Sequence, residues 1–380
     1  MSCFKTSLAA ALASSVLTPG AVQAWTKSYL IEWMAPSFYY GAPANGGEET
    51  PGSDCPSGIN PEMNWKKDLV KSYRSQAEVD TILNPEHRGQ GGQYYEHFGF
   101  RGPLRDNVYE NPTANDDPGF VEVSGNIATG FDLDDNPATG FTSPDGVKGV
   151  DNAYYRASGC INTFRGVHKN AYFFKSSNDR MRDGERTMLM VLSGDSADPM
   201  NDPDVTIGLY GSKDDIVKDA NGAATPDLTF SVDPKHQSVF KGKIEGGVLE
   251  ATGRPLMHFQ YSVRGAGERS YTNLFKAKIR LETQADGTMK GMVGGYRPFF
   301  DHYAEMASYG QTVGGAIHEQ LGHYSLPGWY YSLRRNADGL KDAQTGSNMG
   351  ISTTYDLYLV PAFVMTPDNA APVRVAEAFK

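Results

Sequence analysis

From residue 186 to residue 293 the chain is a succession of short strand-like runs with turn signals between them, 186–192 a mainly apolar run of buried-strand type and others alternating between apolar and polar residues. The runs lie at 186–192, 205–210, 228–232, 240–244, 248–251, 256–261, 276–281 and 289–293. A period of two places successive side chains on opposite faces of a strand, and no helix can use that pattern to bury one side. Asp286-Gly287 separates the last two runs, and Gly246-Gly247 separates 240–244 from 248–251. Such pairs accept the positive φ angles that tight hairpins demand. The expected fold is therefore mainly β, an antiparallel β-sandwich or jelly-roll-like core over 119–297, with 120–123 as its first alternating run. The 42 glycines and 22 prolines fit a chain that turns often.

The flanks read differently. An apolar strand-like run at 29–34 precedes a glycine- and proline-rich segment, and 61–85 is partly helical, with Leu69, Val70, Val79, Ile82 and Leu83 as its inward side. Residues 25–118 form an N-terminal covering region in this reading. After Pro298, the spacing of Phe299, Phe300, Tyr303, Met306 and Ala307 predicts a helix, and 348–364 returns to strand composition. Residues 298–380 are thus a helical and strand C-terminal elaboration.

The first 24 residues have the order of a secretory signal peptide: Lys5, an apolar stretch from Leu8 to Leu17, and the small-residue site Val22-Gln23-Ala24. Cleavage after Ala24 leaves an exported chain, periplasmic or extracellular, without a transmembrane anchor. It also removes Cys3, so Cys55 and Cys160 are expected to form one disulfide in an oxidising compartment. The formal net charge of −10 opposes nucleic-acid binding.

The densest chemistry lies in FDLDDNPATGFTSPDGVKGVDNAYYRASGC, residues 131–160. Asp132, Asp134, Asn136, Asp145, Asp151 and Asn152 are oxygen-bearing residues between glycine and proline turns, the donor type a hard cation such as Ca²⁺ requires. In this reading Asp132 and Asp134 supply anionic oxygens and Asn136 a neutral carbonyl. Asp151 closes the cage from a distance, Asp145 competes with it, and Asp135 faces solvent. Phe131 and Phe141 pack beneath the turn.

The phrase Asp132-x-Asp134-x-Asn136 resembles the opening of EF-hand and thrombospondin type 3 calcium loops over about five residues. Pro137 stands where an EF-hand needs glycine, and Ser143 where it needs a bidentate glutamate, which excludes a regular EF-hand. The longer FDLD…GVDN segment resembles exported bacterial proteins of unassigned activity. That likeness implies a calcium-loop-like core and carries no substrate or catalytic residue.

Two further patterns compete. His318-Glu319-x-x-x-His323 fails the zinc-protease motif because its histidines are five apart instead of four, although a distorted helix could gather them with His302. Tyr94-Tyr95 and Trp329-Tyr330 could present rings to a sugar, against the commoner role of filling a core. The function expected from these residues is binding or interaction at the cell envelope, with carbohydrate or an envelope protein as partner. The alternative is a secreted hydrolase of polymer or ester substrates.

Overall fold

The computed structural model describes residues 25–41, 54–60, 119–161, 187–253, 258–263, 266–304 and 326–365, with shorter stretches between them. Residues 1–24, the segment 61–74, Tyr94, Tyr95, His318, Glu319 and His323 lie outside the described residues.

Strand β1 spans Trp25–Pro36. Two short ladders follow: β2 (Phe100–Arg101) with β3 (Asp106–Asn107), and β4 (Phe141–Thr142) with β5 (Lys148–Val150). Helix α1, Ala153–Ser158, comes next. The main strands are then β6 (Thr187–Gly194), β7 (Asp202–Ser212), β8 (Leu228–Glu245) and β9 (Val248–Gly253). A separate hairpin, β10 (His258–Val263) with β11 (Ala266–Asn273), precedes β12 (Phe275–Thr283) and β13 (Met289–Pro298). Residues 299–304 are helical, α2 spans Leu326–Arg335, and β14 (Gly339–Lys341) and β15 (Asn348–Met365) end the described chain.

Eight strands close into a barrel in the order β1-β6-β7-β8-β9-β12-β13-β15, and β15 pairs back onto β1 from Tyr29↔Pro361 to Pro36↔Tyr355. Every step around the ring is antiparallel. The mainly β, antiparallel class holds, but the sandwich and the jelly roll do not: one meander rolls up until its first and last strands meet. The barrel also draws strands from each of the three segments 25–118, 119–297 and 298–380. A further difference is that 120–123 is irregular, with Val123 buried but unpaired in any ladder.

Alternation now has a physical meaning. Met188, Met190 and Leu192 of β6 join Val205, Ile207 and Leu209 of β7 in one buried cluster with Ile279 and Leu281 of β12 and Leu357 and Leu359 of β15. On β8, β9 and β12 the residues between the inward ones, Lys241, Lys243, Glu250 and Arg280, are exposed, whereas on β6 the intervening Leu189 and Val191 are buried on the opposite face. An eight-stranded barrel has room for packed side chains or for one small ligand. This one is filled with apolar groups, with charges outside on these strands, the reverse of a membrane-spanning barrel's polarity. No helix among the described residues is long and apolar enough to cross a membrane.

Three outer clusters complete the packing. One flank of the wall, with Leu30, Leu189, Val191 and Tyr210, is covered by Ile216, Ala224 and Phe230. A second cluster seats α1 and α2 through Tyr154, Ala157, Trp329 and Leu333, against Trp33 and Ile351 of the barrel. The third lies under the β4–β5 ladder and contains Tyr40, Phe141, Val150, Tyr155 and the Cys55–Cys160 disulfide. The bridge expected from counting cysteines is present. Cys160 follows helix α1 directly.

Candidate metal centre

The β4–β5 hairpin explains how the two ends of the acidic segment meet. Phe131 and Asp151 form an isolated antiparallel bridge, with the Asp151 amide donating to the Phe131 carbonyl at 2.8 Å. Between them the chain makes a compact turn and returns. Gly149, at φ +83°, passes so close to the turn that a Cβ would come 2.9 Å from the Pro137 Cα and 3.1 Å from Asp132 Oδ2. A side chain there would push the hairpin away from the carboxylates it has to approach.

Asp132, Asp134 and Asp151 consequently each place one carboxylate oxygen within 4.8 Å of the others. Asp151 is buried, Asp132 half-buried and Asp134 exposed, so the group forms a mouth with a buried base. The Asp151 Oδ2 accepts the Leu133 amide at 2.7 Å and the Asp134 amide at 3.2 Å. Those bonds pin the turn on the buried carboxylate. The Asn136 amide donates to Asp132 Oδ1 (3.1 Å) and Asp134 Oδ1 (2.9 Å), and the Thr139 hydroxyl to Asp134 Oδ2 (3.3 Å). Each carboxylate keeps lone pairs beyond these bonds.

The other expected ligands are placed differently. Asn152 is fully buried: its Nδ2 donates to the carbonyls of Ser37 (2.7 Å) and Thr129 (2.9 Å), and its Oδ1 caps α1 at the Tyr155 amide. It is a brace for the turn and not a ligand. Asp145 is exposed, accepts the Ser143 hydroxyl inside its own turn, and stands outside the carboxylate group. Asn136 lies on the exposed rim, with its Oδ1 accepting the Ala138 amide at 3.2 Å. Asp135 faces solvent as expected, at φ +58°, and pairs with Lys278 at 3.2 Å. Phe141 is buried under the turn, while Phe131 lays its ring on Gly294, where a Cβ would meet it at 2.6 Å.

Trp329 and Tyr330 are core residues. Trp329 is wholly buried and its indole donates to Ser158 Oγ at 2.9 Å, so neither ring is available to a ligand. His302 is also interior: it stacks on Tyr154 at 4.0 Å and bonds Arg297 and Thr353. Burial first, then the Arg297 charge, holds it well below the ordinary histidine range. A neutral imidazole packed in this way has a structural role.

Two residues of the centre had no signal in the sequence. Lys278 on β12 reaches across the barrel wall to donate to the Asp132 carbonyl. Asp338, after α2, binds the Ser352 amide at 2.7 Å and the Ser352 hydroxyl at 2.5 Å, and stands close enough to act on the cluster through its charge. The Asp151 carboxyl is pushed up to about 6, by burial first, opposed by its amide bonds and helped by the charges of Asp134 and Asp338. Asp338 moves in the same direction, with desolvation first and Asp134 contributing; because that residue is solvent-exposed overall, water tempers the push. Tyr296 is also raised, by burial and then by the four carboxylates Asp151, Asp338, Asp134 and Asp132.

The pH dependence follows. A carboxyl whose folded pKa exceeds its unfolded value binds its proton more tightly when folded. The metal-free chain should therefore lose stability as pH rises from about 4 to about 6, the window bounded by the ordinary value of 3.8 and the raised one. Asp151→Asn should flatten that slope in melting curves taken with chelator; an unchanged slope would mean that Asp151 titrates normally.

Fold and site together define a closed antiparallel barrel with an acidic turn braced against its outer wall. Comparison with protein-family models, curated proteins and solved structures finds no match to the chain.

Proposed function

We propose that the chain is an exported, calcium-stabilised binding or interaction protein of the cell envelope. The observation that carries the cation is the convergence of Asp132, Asp134 and Asp151, one of them buried, from opposite ends of a hairpin. Three like charges so placed repel, and burial raises the cost of keeping Asp151 ionised. A divalent cation removes both penalties. Carboxylate oxygens suit Ca²⁺, which tolerates irregular cages and completes its shell with carbonyls and water. The resemblance of the segment to calcium loops points the same way. Export rests on the character of residues 1–24 and accords with the disulfide.

The cation would lock the turn onto the barrel. Binding only to the folded state stabilises by mass action, about 2.7 kcal/mol at a concentration one hundred times the dissociation constant. Adding Ca²⁺ to chelated protein should raise its melting temperature, and Asp134→Ala and Asp151→Asn should each abolish the rise. Asp145→Ala should leave it intact. The reading fails if metal analysis and melting show no calcium response in the unsubstituted protein, or if the two cluster variants respond as it does.

A further inference from the structure

The acidic turn is fastened to the barrel wall at two points, one near each end of its segment. Phe131 rests its ring on Gly294 of β13, and the Ala153 amide donates to Ser352 Oγ of β15 at 2.8 Å. Tyr296 lies between these anchors. It stands two residues from Gly294 on the same outer face of β13, and it is paired across the ladder with Ser352. Ser352 in turn holds both oxygens of the Asp338 carboxylate, and the Tyr296 ring leaves no room for a Cβ on Gly339. The ring is therefore fixed against the wall, with its phenol close enough to Asp151, Asp338, Asp134 and Asp132 to feel all four charges.

Tyr296 is only 3 % exposed, yet its hydroxyl has no hydrogen-bond partner among the described residues. That is unusual for a buried phenol with carboxylates around it, any one of which could accept its proton. Asp151, 4 % exposed, has an oxygen in the same condition: Oδ2 takes the Leu133 and Asp134 amides, and Oδ1 takes no donor among the described residues. Two unmatched oxygens on buried residues at the base of the converging carboxylates suit an occupant that takes lone pairs. Ca²⁺ takes about six to eight oxygens, so three carboxylates leave places in its shell. Neutral oxygens fill them best, since the carboxylates already exceed the charge of the ion. Asp338 stands outside the converging group with both oxygens engaged by Ser352, so it contributes charge and not a ligand.

We propose that the cation is tied to the barrel wall through Tyr296, whose phenol oxygen is an uncharged ligand on the buried side of the cage formed by Asp132, Asp134 and Asp151. The proposal rests on the cation reading above and adds to it a ligand from outside the acidic segment. The ion then clamps the hairpin onto β13, where Phe131 and Gly294 already bring the two together.

Tyr296→Phe keeps the ring and its packing against Gly339 and removes only the oxygen. The mature chain and the variant are titrated calorimetrically with Ca²⁺. They are also titrated with Tb³⁺, an ion of similar size that takes the same oxygen donors and emits when a neighbouring phenol absorbs light and passes on the energy. Ca²⁺ affinity should fall about ten-fold or more in the variant. Its metal-free melting temperature should match the parent, because the lost hydroxyl had no partner. Emission at saturating Tb³⁺, which Ca²⁺ should displace in the parent, should lose most of its intensity in the variant, since the transfer weakens steeply with distance. Unchanged Ca²⁺ affinity would overturn the proposal. So would a lower affinity with the parent's emission per bound Tb³⁺, which would make Tyr296 a packing residue alone. Asp134→Ala separates the two readings: if it loses the calcium response while Tyr296→Phe keeps it in full, the carboxylate cage stands and the phenol ligand falls. If the unsubstituted chain binds neither ion, both fall.

Discussion

Replacing Cys55 and Cys160 together by alanine is expected to lower stability by about 4–5 kcal/mol, and the melting temperature by on the order of 10 °C. The bridge closes a loop with a sequence separation of 105, and a cross-link over so long a loop removes much of the freedom of the unfolded chain. That loop contains the whole acidic hairpin. Both cysteines are buried in the cluster that carries Phe141, Val150 and Tyr155, so the bridge also anchors the floor on which the turn rests. The check is equilibrium unfolding of the double variant beside the parent under non-reducing conditions. A loss below about 1 kcal/mol would show that packing alone holds the acidic hairpin in place.

Asp54→Ala should cost nearly as much, about 3–5 kcal/mol, through a different mechanism. Arg165 and Asp54 form a buried two-pronged pair, Nη1 to Oδ2 at 2.7 Å and Nη2 to Oδ1 at 3.3 Å, with side chains almost wholly hidden from solvent. The same guanidinium donates to the Gly159 carbonyl at 2.8 Å and lies 4.7 Å over the Tyr40 ring. Removing the carboxylate strands a charge in a site that water does not reach. Removing both charges with apolar residues of similar size, Asp54→Leu with Arg165→Met, should recover most of the loss, because the desolvation cost disappears along with the attraction. Urea unfolding of the two single variants and the double variant measures the coupling. Additive losses would show that the pair does not act as a unit.

These two sites bear on how much could be read without coordinates. Cysteine pairing needed only a count, since removal of Cys3 leaves two. The Asp54–Arg165 pair gave no sign of itself, because neither residue lies in a patterned run and the partners are 111 residues apart. Hairpins were the most legible elements. Gly246-Gly247 does join β8 to β9, and Asp286-Gly287 joins β12 to β13, because turn chemistry and alternation are both local properties. The short 120–123 run shows the limit: it alternates, but Val123 is drawn into the cluster under the acidic hairpin and no neighbouring strand offers a ladder. Aromatic residues misled for a related reason. Trp329 and Tyr330 carry the same rings whether they meet a sugar or a core, and only the packing of α2 on α1 decides between the two.

The acidic turn divides in the same way. Its composition identified the place and the three carboxylates, Asp132, Asp134 and Asp151, that the structure brings together, since oxygen-bearing residues at alternate positions are visible in the chain itself. The choice of Asp151 over Asp145 as the residue that reaches the group came from the return path of one hairpin, as did the conversion of Asn152 from ligand to brace. Lys278 and Asp338 arrive from β12 and from the segment after α2.

By itself the sequence determined a strand-rich antiparallel chain, its hairpin turns, its disulfide and the position of its acidic segment. Tertiary structure alone decided that the sheet closes, by pairing β1 with β15, and that β12 and the segment after α2 bring Lys278 and Asp338 to the carboxylates. The physical reason is range. Alternation and turn preference act between neighbours and leave a mark in composition, whereas the meeting of strands more than three hundred residues apart is set by global packing and writes no local pattern.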